Sequence, residues 1–154
     1  MKFSIEEGGP DQSTNRSVVF RPYEHSFDTV PSIPEGWNRS IGLGYVQLWV
    51  DAEGFIRTLT GYVGTRYLNA SITLPRSECG GVRIIEGLAP YSLSEVNIDE
   101  WSLEIDTSNS IARYGTKEQD ARMIQVCEHL VVGLGSYDQI KCVYWLFTTS
   151  EEQY

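Results

Sequence analysis

Residues 116–147 read TKEQDARMIQVCEHLVVGLGSYDQIKCVYWLF, and the reading of this stretch decides the fold. Thr116 and Gln119 have the T-x-x-Q spacing of a capping box, in which the hydroxyl accepts from an orphan backbone N–H and the amide reaches back to the cap. Glu118 and Asp120 put negative charge where the dipole of a first helical turn favours it. Met123, Ile124, Cys127, Leu130 and Val131 then follow the i, i+1, i+4, i+7, i+8 spacing of one helical face. Gly133 is a ready C′ residue, free to take a left-handed conformation. Ile140 to Phe147 is almost wholly apolar, with the β-branched and aromatic residues of a strand buried on both faces. The stretch therefore predicts an amphipathic helix, a glycine stop and a strand on whose sheet the helix packs.

Working back towards the N-terminus, Tyr45–Val50 and Phe55–Val63 are β-rich runs joined by Asp51-Ala52-Glu53-Gly54, which predicts a hairpin. Ser17–Tyr23, Tyr67–Leu74, Val82–Ile85 and Trp101–Ile105 read as further strands. Met1 to Arg16 is polar, with Gly8, Gly9 and Pro10 together, and reads as a weakly ordered lead-in. The expected fold class is α+β. It is a mainly antiparallel sheet, in one version a sandwich, with one C-terminal amphipathic helix followed by a buried strand. It forms a single domain over 17–154 behind the lead-in 1–16.

The chain has 154 residues, 41% hydrophobic and 21% charged, enough for one globular core without staples. No run approaches the roughly 18 apolar residues of a membrane helix. Met1–Pro10 lacks the apolar core of a secretory signal. The cysteines are three, Cys79, Cys127 and Cys142, in dissimilar contexts, which points to a reducing compartment and hence the cytoplasm.

The net charge of −9 is uneven. Residues 1–77 hold eight acids and seven bases, whereas 78–154 hold thirteen acids and five bases, so the second half carries −8. That balance argues against nucleic acid or an anionic membrane as partner, because phosphate binding needs Lys and Arg to displace counterions. It permits a basic protein partner, or simply a soluble surface.

Motifs for chemistry are sparse. His25 has Glu24 and Asp28 close in sequence and could serve as a base, but no second His stands at metal-ligand spacing. On the expected helix His129 falls opposite the apolar stripe and should face solvent. Cys79 precedes Gly80 and Gly81, a permissive backbone for a nucleophile, without any wider signature. The Gly42-Leu43-Gly44 and Gly133-Leu134-Gly135 pairs lie outside the strand-to-helix context that a phosphate loop needs. Cys127 and Cys142 read as packing residues. The residues therefore call for no cofactor, metal ligand or catalytic group.

The acidic run is more suggestive. Glu95, Asp99, Glu100, Glu104 and Asp106 fall without an intervening base, and Tyr91 and Trp101 stand near them. Carboxylates steer a basic partner and aromatic residues anchor it. Tyr91, Glu95, Asp99, Glu100, Trp101, Glu104 and Asp106 are thus the expected partner-binding residues. The function expected is a small acidic cytosolic protein-binding domain, in concrete form an inhibitor or immunity-type protein against a basic, nuclease-like protein. An enzyme or small-ligand domain using His25 with Glu24 or Asp28 is the alternative, and a subunit of a larger assembly is the third reading.

Overall fold

The structure, a computed structural model, describes residues 2–7, 16–64, 67–86, 93–95, 101–116, 121–136 and 139–150. Among them are sixteen strands and no α-helix. One seven-stranded sheet runs, edge to edge, β10 (Leu93–Glu95), β4 (Arg39–Gly42), β5 (Val46–Val50), β6 (Ile56–Tyr62), β3 (Ser26–Val30), β2 (Ser17–Arg21), β16 (Thr148–Thr149). The second, also of seven, runs β7 (Leu68–Asn69), β11 (Ser102–Asp106), β12 (Ile111–Gly115), β15 (Ile140–Leu146), β14 (Leu130–Leu134), β13 (Arg122–Cys127), β8 (Glu78–Cys79). A two-stranded ribbon pairs β1 (Lys2–Glu6) with β9 (Gly81–Glu86). Part of the expected lead-in is thus a strand, and Phe3 joins the core.

The expected α+β class is corrected by this arrangement: the described chain is all β. Where the helix was expected, β13 and β14 form an antiparallel hairpin turning at Glu128 and His129. The apolar spacing fits both readings, and Val126 separates them. In β13 Ile124 and Val126 are buried while Gln125 between them is not, which is the period of two. β14 is buried throughout, and its consecutive Val131 and Val132 favour strand over helix. Gly133 is no helix stop either. It pairs with Cys142, and a Cβ there would sit 2.4 Å from the Cys142 Sγ, so the site admits only glycine in this packing. The strand expected at 140–147 is present as β15, and the 45–63 hairpin as β5 and β6.

The two large sheets face one another across a single core. Phe20 and Phe27 of the first sheet stack at 4.6 Å, and Phe27 meets Trp145 of the second edge-on at 5.2 Å. Phe147 closes the group against both phenylalanines. Burying each such ring contributes roughly 1.5–3 kcal/mol, so this cluster is a principal tie between the sheets. At all four outer edges the last strand is only two or three residues long and pairs in parallel. Short edge strands blunt the tendency of a sheet to recruit another chain.

Three hairpin loops close on a left-handed residue: His25 (φ 56), Gly54 (φ 96) and Ser110 (φ 57). This recurs because a type I turn followed by a left-handed residue suits the twist of the flanking strands. No helix of the described residues is long and apolar enough to cross a membrane.

Candidate functional site

Five strand termini of the second sheet coincide. Ser102 pairs with Gly115, Gly115 with Cys142, Leu134 with Ile140, and Arg122 with Leu134. β11, β13 and β15 therefore begin, and β12 and β14 end, at one end of the sandwich. The first sheet contributes matching termini. Val46 pairs with Gly61, Ser26 with Tyr62, and Gly42 with Gln47 and with Glu95 of β10.

A row of aromatic residues joins the two sheets there. The Tyr62 N–H donates to the Tyr45 carbonyl at 3.1 Å. The Tyr45 ring lies 5.8 Å from that of Tyr114, and Trp101 meets Tyr114 edge-on at 5.1 Å. Tyr114 is buried, which pushes its phenol above the usual range. Tyr45 and Trp101 are half-buried, while Tyr62 is 67% exposed and Tyr23, on the β2–β3 loop, is 60% exposed. That loop is fixed beside Tyr62, because the Val63 N–H donates to the His25 carbonyl at 2.8 Å. We call this the tyrosine end.

The charge falls into a clear division. In residues 78–154 the strands hold the acids Glu78, Glu86, Glu95, Glu104 and Asp106 and the bases Arg83, Arg113, Arg122 and Lys141, so the paired framework is close to neutral. The positions outside the strands hold eight acids against Lys117, which is −7 of the −8. Five of those acids, Asp99, Glu100, Glu118, Asp120 and Asp138, belong to sequence that joins strand termini at the tyrosine end. Lys117 is the single base in the same segments.

Of the expected partner-binding residues, Tyr91, Asp99 and Glu100 lie outside the described residues, and so does the side chain of Glu95. Trp101 sits in the aromatic row. Glu104 stands half-buried opposite Arg113 across the β11–β12 pair. Asp106 is turned to structural use. It is 5% exposed and accepts from the Ile72 N–H at 3.0 Å, the Asn109 N–H at 3.0 Å and the Asn109 side-chain amide at 2.8 Å. The Ile72 bond foremost, and the Asn109 amide after it, hold its carboxyl below the usual range.

His25 closes a loop, and among the described residues its ring has no hydrogen bond to Glu24 or Asp28. Asp28 instead pairs with Arg21 at 2.8 Å. Cys79 is exposed on β8, with its Sγ 3.8 Å from the Gln125 side-chain oxygen. Among the described residues no three of His, Cys, Asp and Glu gather as a metal site.

His129 overturns its expectation outright. It faces inward, 7% exposed, because the β13–β14 turn folds over β6. A register shift opposite Trp49 and Val50 makes a bulge in β6, so that Thr58 and Leu59 are both buried. Thr58 then lies 2.9 Å from the His129 Nε2 and 2.8 Å from the Thr29 Oγ1. The Cys127 Sγ is 3.5 Å from the His129 Nδ1 and 3.5 Å from the Arg57 carbonyl. Burial pushes the Cys127 thiol up to about 11 and the His129 imidazole down to about 4. A thiol and an imidazole shifted in those directions are both neutral at pH 7, the opposite of an activated Cys–His pair. The group is a polar clasp between the sheets. Its sequence signal, a buried bulge residue on one sheet facing a turn histidine of the other, is invisible without the pairing.

No protein-family model matches the chain, and no curated protein matches it in sequence.

Proposed function

We propose that the chain is a small acidic protein-binding domain, that its working surface is the tyrosine end, and that its partner is a basic protein. The observation that carries this reading is the division of charge: strands of residues 78–154 that are close to neutral, with five carboxylates against one lysine in the connections 96–101, 116–121 and 135–139, which join strand termini at the aromatic end. Aromatic residues with a polar tip supply contact area, and the surrounding carboxylates speed and orient encounter with a basic surface. An inhibitor or immunity-type protein that neutralises a basic, nuclease-like protein is the concrete form. Asp106 drops out of the partner-binding set because its lone pairs are spent inside the fold. Three free thiols support a cytoplasmic setting.

The test is affinity capture at low and high salt, using the chain and a variant with Asp99, Glu100, Glu118, Asp120 and Asp138 changed to their amides. A basic protein retained at low salt by the parent and lost by the variant supports the reading. Retention by both, or no basic protein at all, overturns it.

A further inference from the structure

The chain stacks its own arginines on aromatic rings repeatedly. The guanidinium carbons of Arg16 and Arg57 lie 4.9 and 5.9 Å from the Trp37 ring centre, that of Arg83 5.6 Å from Phe55, and that of Arg113 5.5 Å from Tyr144. Among the described residues no cation lies over Tyr23 or Tyr62, although these two expose more of their surface than any other described aromatic residue. The neighbouring charges are unbalanced in one direction. Arg21 is held by Asp28, while Glu24 is exposed and its carboxylate accepts only from the Ser26 hydroxyl, at 3.5 Å, among the described residues. Two exposed rings and a weakly engaged carboxylate, carried on the β2–β3 loop and on the strand end paired beside it, offer a surface complementary to a guanidinium. Its flat cation can lie on a ring while its N–H fork reaches a carboxylate. An ammonium is more strongly hydrated and lacks the planar face.

We propose that Tyr23, Glu24 and Tyr62 form the anchor point of the tyrosine end and seat an arginine side chain of the partner in preference to lysine. This rests on the reading that the partner is basic, and it names the chemistry by which that partner is recognised. The anchor is built on paired strands, since Ser26 and Tyr62 face each other and the His25 carbonyl accepts from Val63.

The experiment titrates the full chain with nona-arginine and, separately, nona-lysine at low salt, following backbone and tyrosine-ring NMR signals. The expected result is tighter binding of nona-arginine by about two- to fivefold, the range of an exposed cation–π contact, with the largest shifts at Tyr23 and Tyr62. Tyr62→Phe should keep the preference, and Tyr62→Ala together with Glu24→Gln should abolish it while the chain stays folded, since both side chains are solvent-facing. If both peptides bind equally, or the double variant keeps the preference, the anchor is overturned and the basic-partner reading stands. If neither peptide binds, the basic-partner reading itself fails.

Discussion

The His129 Nε2 lies 2.9 Å from the Thr58 Oγ1, and counting hydrogens fixes the direction of that bond. The Thr29 hydroxyl donates to the Leu59 carbonyl at 2.7 Å, so towards Thr58 it can only accept. Thr58 must therefore spend its one hydrogen on Thr29 and accept from the Nε2–H of His129. The chain His129 to Thr58 to Thr29 to Leu59 runs one way, and it leaves the Nδ1 as an acceptor facing the Cys127 thiol. Nitrogen-15 NMR should find His129 as the neutral Nε2–H tautomer at pH 7; an Nδ1–H tautomer would contradict the network.

Acid should undo this clasp. The folded-state value of His129, about 4, lies below the ordinary unfolded value of about 6.5, so the unfolded chain binds the extra proton more readily. Stability from this group is complete above pH 6.5 and falls as pH drops towards 4, by roughly 3 kcal/mol in total at 1.36 kcal/mol per unit. The depressed carboxyl of Asp106 is lost only at lower pH, below its ordinary value of 3.8. Urea unfolding between pH 7 and 4 should show the decline in the parent and a much flatter profile in His129→Gln.

Thr58→Val should cost about 1–3 kcal/mol, because it orphans the His129 donor and removes the donor to Thr29 inside a buried site. Thr29→Val and Thr58→Val combined should cost less than the two added, since the pair share one hydrogen bond. Denaturant midpoints of the three variants measure the coupling. Strict additivity would show that the hydroxyls act independently.

Cys142 is gripped between two glycines, and the two should respond differently to its truncation. A Cβ at Gly133 would meet the Cys142 Sγ at 2.4 Å, whereas one at Gly115 would meet the Cys142 Cβ at 2.3 Å and Cα at 2.5 Å. Each Gly→Ala change should destabilise by about 1–3 kcal/mol through overpacking. Adding Cys142→Ala removes the sulfur and should restore much of the loss at Gly133, but little at Gly115, where the obstacle is backbone and Cβ. Thermal unfolding of the two double variants decides it.

The legible parts of this fold were those in which periodicity has one meaning. The β5–β6 hairpin announced itself through alternation and the Asp51–Gly54 turn, and β15 through its unbroken apolar run. The 116–134 stretch was ambiguous because a two-strand hairpin with a short turn places apolar residues at nearly helical intervals. His129 inherited that error, being placed by helical angle when a turn set its direction. Asp106 shows the complementary limit. Alternation puts it on the face of Glu104, but it ends its strand, where Ile72 and the Asn109 turn cover it. At the tyrosine end, Trp101 and the acidic run were visible as composition, whereas Tyr45, Tyr62 and Tyr23 came together only through strand pairing.

Hydrogen exchange on the captured complex tests the central claim, that the tyrosine end is the working surface, most directly. New protection is expected at Tyr23–Ser26, Tyr45, Tyr62, Trp101 and Tyr114. Exchange should be unchanged at the far end, around the Asp51–Gly54 and Glu128–His129 turns. Protection confined to those turns, with the tyrosine end exchanging as in the free chain, would contradict it.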